Sequence, residues 1–183
     1  MIDIYSQSSK MVDLQSKNVR STQSVLAAGG WAFMQLGTYL VGSPLVIVDH
    51  VKTKISFPPS QIIYSDGRNL SINYNEITNR FMPQQAGDTF LVNLRMKVKP
   101  TAQAGTLDIM LESPNTSFNP ITARTSSFNK AAGQEHFIGL SEHIFISADV
   151  VTNGLELYVH PIDTNVSVYD ISLLVSRTFS ADN

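Results

Sequence analysis

Cysteine is absent from this chain of 183 residues. That excludes disulfides, thiolate metal ligands and cysteine nucleophiles, and leaves the compartment open. Charge is also scarce: Asp, Glu, Lys and Arg make up 15% of the chain, against roughly a quarter of an ordinary soluble domain. The 13 basic and 15 acidic residues leave a net charge of -2. No surplus of Lys and Arg exists to displace the counterions of a nucleic acid, so no nucleic-acid partner is expected. No run is long and apolar enough to cross a bilayer, and no membrane partner is expected. The first residues lack a basic stretch followed by an apolar one, so the expectation is synthesis in the cytoplasm without a Sec leader.

Enough apolar material is present, at 43% of residues, for a real core. Its spacing is that of strands. From Thr89 to Lys99, Phe90, Val92, Leu94, Met96 and Val98 alternate with Asn93, Arg95, Lys97 and Lys99. Side chains leave a pleated strand on alternate faces, so this segment buries one face and wets the other. Leu107, Ile109 and Leu111 repeat the pattern against Asp108 and Glu112, and so do Leu155, Leu157 and Val159 against Glu156 and His160. Further strands are expected at Trp31–Leu40, Leu45–Phe57, Ile121–Ser126, His136–Leu140 with His143–Ser147, and Val166–Arg177. A change of phase at Asp49-His50 predicts a bulge, and a second one at Tyr169-Asp170 predicts another. Asp66-Gly67 predicts a hairpin turn between Gln61–Tyr64 and Asn69–Ile72. Tyr74, Ile77 and Phe81, spaced by three and four, predict a helical turn or two over Asn73–Phe81. Eight to ten short strands with almost no helix mean an all-β sandwich or barrel over residues 29–183. Met1 to Ala28 is rich in Ser and Gln, with sparse apolar residues, and reads as an N-terminal arm that orders against a partner.

Catalytic chemistry finds no footing. Ser141-Glu142-His143 holds the letters of a triad, but neighbouring strand residues point to opposite faces and cannot assemble one. A Gly-x-Ser-x-Gly elbow is missing. His136 and His143 are an odd interval apart, which separates them across a continuous strand. Asp163 and Asp170 are accounted for by a turn and a bulge rather than by a calcium site, and neither HExxH nor an Asp-rich calcium loop is present. Glycines ahead of a helix, as a phosphate cradle needs, are also missing. No enzyme activity, metal or cofactor is expected. Sugar recognition through an exposed aromatic is the alternative, with Trp31, Tyr64, Tyr74, Tyr158 and Tyr169 available and Tyr158 pointing most clearly outward.

Three stretches carry a resemblance. Gly29-Gly30-Trp31-Ala32-Phe33, continuing through Gly37-Thr38-Tyr39 to Gly42-Ser43-Pro44-Leu45, is one. The others are Gly87-Asp88-Thr89-Phe90-Leu91-Val92 and the ending, Asn153 to Val159 with Val168 to Arg177. In these pieces the chain resembles virion structural proteins of tailed bacteriophages. The resemblance implies a jelly-roll-like antiparallel β-sandwich, exposed on the virion as a capsid decoration (cement) protein or as part of a fibre. It also implies a homotrimer whose partner is the major capsid protein. On that reading Met11, Leu14, Val19 and Leu26 anchor the arm on the capsid, and Tyr158 is the glycan contact of the alternative, a carbohydrate- or receptor-binding module.

Overall fold

The computed structural model describes residues 30–57, 62–66, 72–75, 77–114 and 120–181. Met11, Leu14, Val19 and Leu26 lie outside the described residues. In chain order the strands are Trp31–Gln35 (β1), Leu45–Ile47 (β2), Thr53–Ile55 (β3), Ile62–Asp66 (β4), Ile72–Asn75 (β5), Arg80–Pro83 (β6), Thr89–Pro100 (β7), Thr106–Glu112 (β8), Thr122–Ser127 (β9), His136–Phe145 (β10), Glu156–Ile162 (β11) and Val166–Phe179 (β12). A short helix, Ala148–Asn153 (α1), joins β10 to β11.

The larger sheet has the order β10-β7-β12-β1-β4, and β2 pairs the other half of β12 on the side that β1 occupies. The smaller sheet is β3-β11-β8-β9, and β5 and β6 form a hairpin of their own. All these pairings are antiparallel. The chain crosses repeatedly from sheet to sheet, and its last strands wrap back onto its first: β12 onto β1 and β2, β11 onto β3. That nested wrapping makes the expected all-β, jelly-roll-like sandwich.

Alternation sets the core. Phe90, Val92, Leu94, Met96 and Val98 of β7 face inward, and Leu107, Ile109 and Leu111 of β8 and Leu157 and Val159 of β11 face them from the smaller sheet. Each such side chain stabilises the fold by about 1.5–3 kcal/mol when fully buried. On β12 the inward row is Val166 and Val168, then Ile171, Leu173 and Val175. The change of phase is the predicted bulge: the register with β7 breaks between Tyr169 and Ser172, and Asp170 has a φ of 50°.

Three expectations are corrected. Leu45–Phe57 is not one bulged strand: β2 belongs to the larger sheet and β3 to the smaller, with His50 at a φ of 58° in the corner between them. Asn73–Phe81 is not helical. It holds most of the β5–β6 hairpin, whose turn is closed by Asn75 Oδ1 accepting from the N–H groups of Ile77 and Thr78. The spacing of Tyr74 and Phe81 came from cross-strand pairing, since the two residues are register partners. The turn at Asp66-Gly67 and the segment expected to follow it, residues 67–71, lie outside the described residues; among the described ones β4 pairs β1 and β5 pairs β6. Helix α1 was not expected. Ser147 caps it by accepting from the Val150 N–H at 3.4 Å, and Gly154, at a φ of 75°, ends it.

Candidate functional site

The two outer faces of the sandwich differ in chemistry. On the smaller sheet, register sets Glu156 directly opposite Glu112. Two such carboxylates would repel, and cations resolve the clash. Lys52 Nζ lies 2.5 Å from Glu112 Oε2. Lys54 Nζ and Arg80 Nε each lie 2.7 Å from Glu156 Oε1, while the Tyr158 hydroxyl donates to Glu156 Oε2 at 2.6 Å. Burial alone would push the Glu156 carboxyl up, but the hydrogen bonds from Lys54, Tyr158 and Arg80 outweigh it and hold the group at about 2. Burial and the adjoining carboxylate push the Tyr158 hydroxyl up to about 12. This face is closed on itself by its own ion pairs.

Tyr158 therefore does not present an open ring. Its hydroxyl is committed to Glu156, and Lys52 Nζ sits 4.4 Å from the ring centroid. Tyr74 packs edge-on against Phe81, accepts from the Phe57 N–H and donates to Asn79. Tyr169 is buried, and its hydroxyl donates to Glu135. The side chain of Tyr64 lies outside the described positions.

The larger sheet's outer face is aromatic instead. Phe137 is 76% exposed, Phe145 64%, Phe179 56% and Trp31 38%. Register brings three of them to one end of the sheet: Thr89 pairs with both Phe145 and Phe179, and Leu91 pairs with His143 and with Ser176, the partner of Trp31, whereas Phe137 pairs with Lys97 at the other end of β10. Leu174 pairs with both Asn93 and Phe33, continuing the apolar face. Scattered single apolar residues on a surface are ordinary, but a contiguous set marks a contact site. The sequence held the signal: Phe137 and Phe145 occupy the phase of β10 opposite to Ile138, Leu140 and Ile144, so the outer face of that strand carries an aromatic ring at each end.

Beside this patch a cleft of about 680 Å³ opens over Gly139. A Cβ there would lie 2.6 Å from the Leu94 carbonyl oxygen, so glycine forms the floor. Arg95, Lys97, Arg124, Phe137 and Ser141 stand around it. Lys97 is bound at 3.0 Å by Asp170, and hydrogen bonding to that carboxylate holds its pKa above the ordinary value. Arg95 and Arg124 have no carboxylate within ion-pair distance among the described residues.

The triad letters fall as strand geometry requires. Ser141 and His143 are exposed, whereas Glu142 alternates away from both. His136 is buried against Phe128, and His143, on the same continuous strand, is exposed. Asp163 sits in a turn at a φ of 65°. Among the described residues no group of three or more His, Asp or Glu could hold a metal ion. Nor, among them, is any helix long and apolar enough to cross a membrane.

No protein-family pattern matches the sequence, and no curated protein matches it. Among solved structures the chain is similar to the Eiger TNF of S. frugiperda, at 10% identity and a TM-score of 0.49, over 84% of this chain and 94% of that one. It is also similar to the PRD1 vertex protein P5, at 14% identity and a TM-score of 0.43, over 81% and 95%. A third similar structure is that of infectious bursal disease virus Gx strain, at 9% identity and a TM-score of 0.41, over 84% of this chain and 33% of that one. Likenesses this loose carry no function across.

Proposed function

We propose that the chain is a virion structural protein of a tailed bacteriophage, a decoration or cement protein that stabilises the head by binding the major capsid shell. The observation that carries this reading is the contrast between the faces: one closed by ion pairs, the other presenting Phe145, Phe179 and Trp31 to a partner. The resemblance in Gly29 to Leu45 and Asn153 to Arg177 supports it, as does the low charge. The arm over 1–28, through Met11, Leu14, Val19 and Leu26, adds a second attachment, and the chain acts as a homotrimer on the capsid surface after synthesis in the host cytoplasm. Its action is mass action: a ligand that binds only the intact shell stabilises that shell, by about 2.7 kcal/mol at a hundredfold excess over Kd. Heads carrying the protein retain their DNA to higher temperature than heads lacking it. Equal release temperatures with and without it would overturn the reading.

The cleft favours a second reading, a carbohydrate- or receptor-binding module of a head or tail fibre. Arg95 and Arg124 supply charge for an acidic sugar and Phe137 an open ring for stacking. A glycan array separates the two. If this reading holds, Phe137→Ala abolishes the signal, and Tyr158→Ala tests the site that the sequence suggested.

A further inference from the structure

Among the described residues, strand β10 lies at the rim of the larger sheet, paired on one side only, with β7. The hydrogen-bond phase can be read from its ends. Ile146 N–H donates to the Asp88 carbonyl at 2.9 Å, in phase with the β10–β7 register. On the other side of β7, Thr101 N–H donates to the Asn165 carbonyl at 2.9 Å, in phase with β12. Antiparallel residues bond alternately to one side and the other. The even-numbered residues of β10 therefore bond β7. Phe137, Gly139, Ser141, His143 and Phe145 direct their N–H and C=O groups to the open side. The nearby rim strand of the smaller sheet, β9, pairs β8 and not β10.

An open edge of this length is ordinarily guarded by a lysine, a proline or a bulge. The strand, His136 to Phe145, contains neither lysine nor proline, and its pairing with β7 runs without a register break. It is also self-complementary. Placed antiparallel to a second copy with Ser141 opposite Ser141, Phe137 meets Phe145, Gly139 meets His143, and Glu142 meets Leu140. Each of the five open residues then faces another open residue, so the bonding phase is correct. Aromatic pairs lie at both ends of the seam, the imidazole lies over the missing side chain of Gly139, and no like charges are opposed.

From this register we infer that β10 is a homotypic interface: two copies of the chain join their larger sheets edge to edge across a two-fold axis at Ser141. The seam joins the outer faces of both copies, with a Phe137–Phe145 pair at each end. The inference is independent of the virion reading, because pairing concerns the isolated chain and is measured without particles.

The absence of cysteine makes the test clean. In the full chain, Ser141→Cys supplies a single thiol that lies on the axis, and a short bifunctional thiol reagent converts most of the protein to a covalent dimer. Ser126→Cys, on β9, stays uncoupled. Sedimentation gives an even number of chains for the wild type, a dimer, or a hexamer where the homotrimer also forms. Ser141→Lys, an exposed position whose N–H is directed away from β7, places two cations on the axis and weakens association about tenfold or more, with an unchanged circular-dichroism spectrum. A wild-type monomer or trimer, or an association constant indifferent to Ser141→Lys, would overturn the inference.

Discussion

Arg177 Nη2 donates to Asp88 Oδ1 at 2.7 Å, and both residues are buried where the start of β7 meets the end of β12. The same carboxylate oxygen accepts the N–H of Ala181 at 3.0 Å, so one acid ties two segments of chain to the rim of the sandwich. Breaking a buried pair by removing one member costs about 3–5 kcal/mol. Asp88→Ala and Arg177→Met should each lower stability by that order in urea unfolding. The double variant should cost less than the sum of the two, because the two side chains contact each other directly.

Glu156 makes a different prediction, of pH dependence. Its carboxyl is held at about 2, below the ordinary 4.5. The unfolded chain therefore binds a proton in a range where the folded chain does not, and stability falls as pH drops through that window. The effect is on the order of 2 kcal/mol, discounted for the exposure of the surrounding lysines. Glu156→Gln should flatten the acid limb of the stability curve between about pH 5 and 2 and lower stability at neutral pH. An acid limb of unchanged slope would show that the Lys54–Arg80–Tyr158 cluster does not tune this group.

Much of the sandwich was legible because burial on one face writes a period of two into the sequence, as in β7, β8 and β11. The bulge at Asp170 was legible for the same reason: a change of phase survives in the order of residues. Pairing partners were not. Asp66-Gly67 signalled a turn but not that β4 would pair β1, because partner choice is decided by the global wrap. Tyr74, Ile77 and Phe81 fitted a helical spacing by coincidence, and Ile77, at the hairpin tip, is almost fully exposed. The outward aromatics were less legible, because an apolar residue in a strand ordinarily marks the buried face. Phe137 and Phe145 are out of phase with the core row, and that mismatch was the available signal.

Gly139 should be intolerant of even a methyl group. A Cβ would lie 2.6 Å from the backbone oxygen of Leu94, and a backbone atom in the middle of a sheet has nowhere to go. Gly139→Ala is expected to cost about 1–3 kcal/mol, visible as a lowered thermal midpoint. Gly133, with open space around its Cβ position, lies at a φ of 76° and gives a comparison in which only backbone strain acts. A Gly139→Ala protein as stable as wild type would mean that β10 and β7 can separate locally at no cost.

His136 gives the last prediction. The ring is buried, packs edge-on against Phe128 at 5.0 Å between centroids, and among the described residues its Nε2 finds no hydrogen-bond partner. Burial, followed by the positive field of Lys130, holds its pKa below the ordinary 6.5. A depressed histidine pKa means that the unfolded chain takes up a proton before the folded chain does. Its contribution is thus intact above about pH 6.5 and is lost as pH falls through the folded value. Urea unfolding at about pH 7.5 and pH 5.5 should show the wild type less stable at the lower pH. In His136→Phe, which fills the same site beside Phe128 with a ring that cannot be protonated, that difference should shrink. An equal pH difference in both proteins would assign the acid sensitivity to other groups, and the imidazole would then be no more than a packed ring.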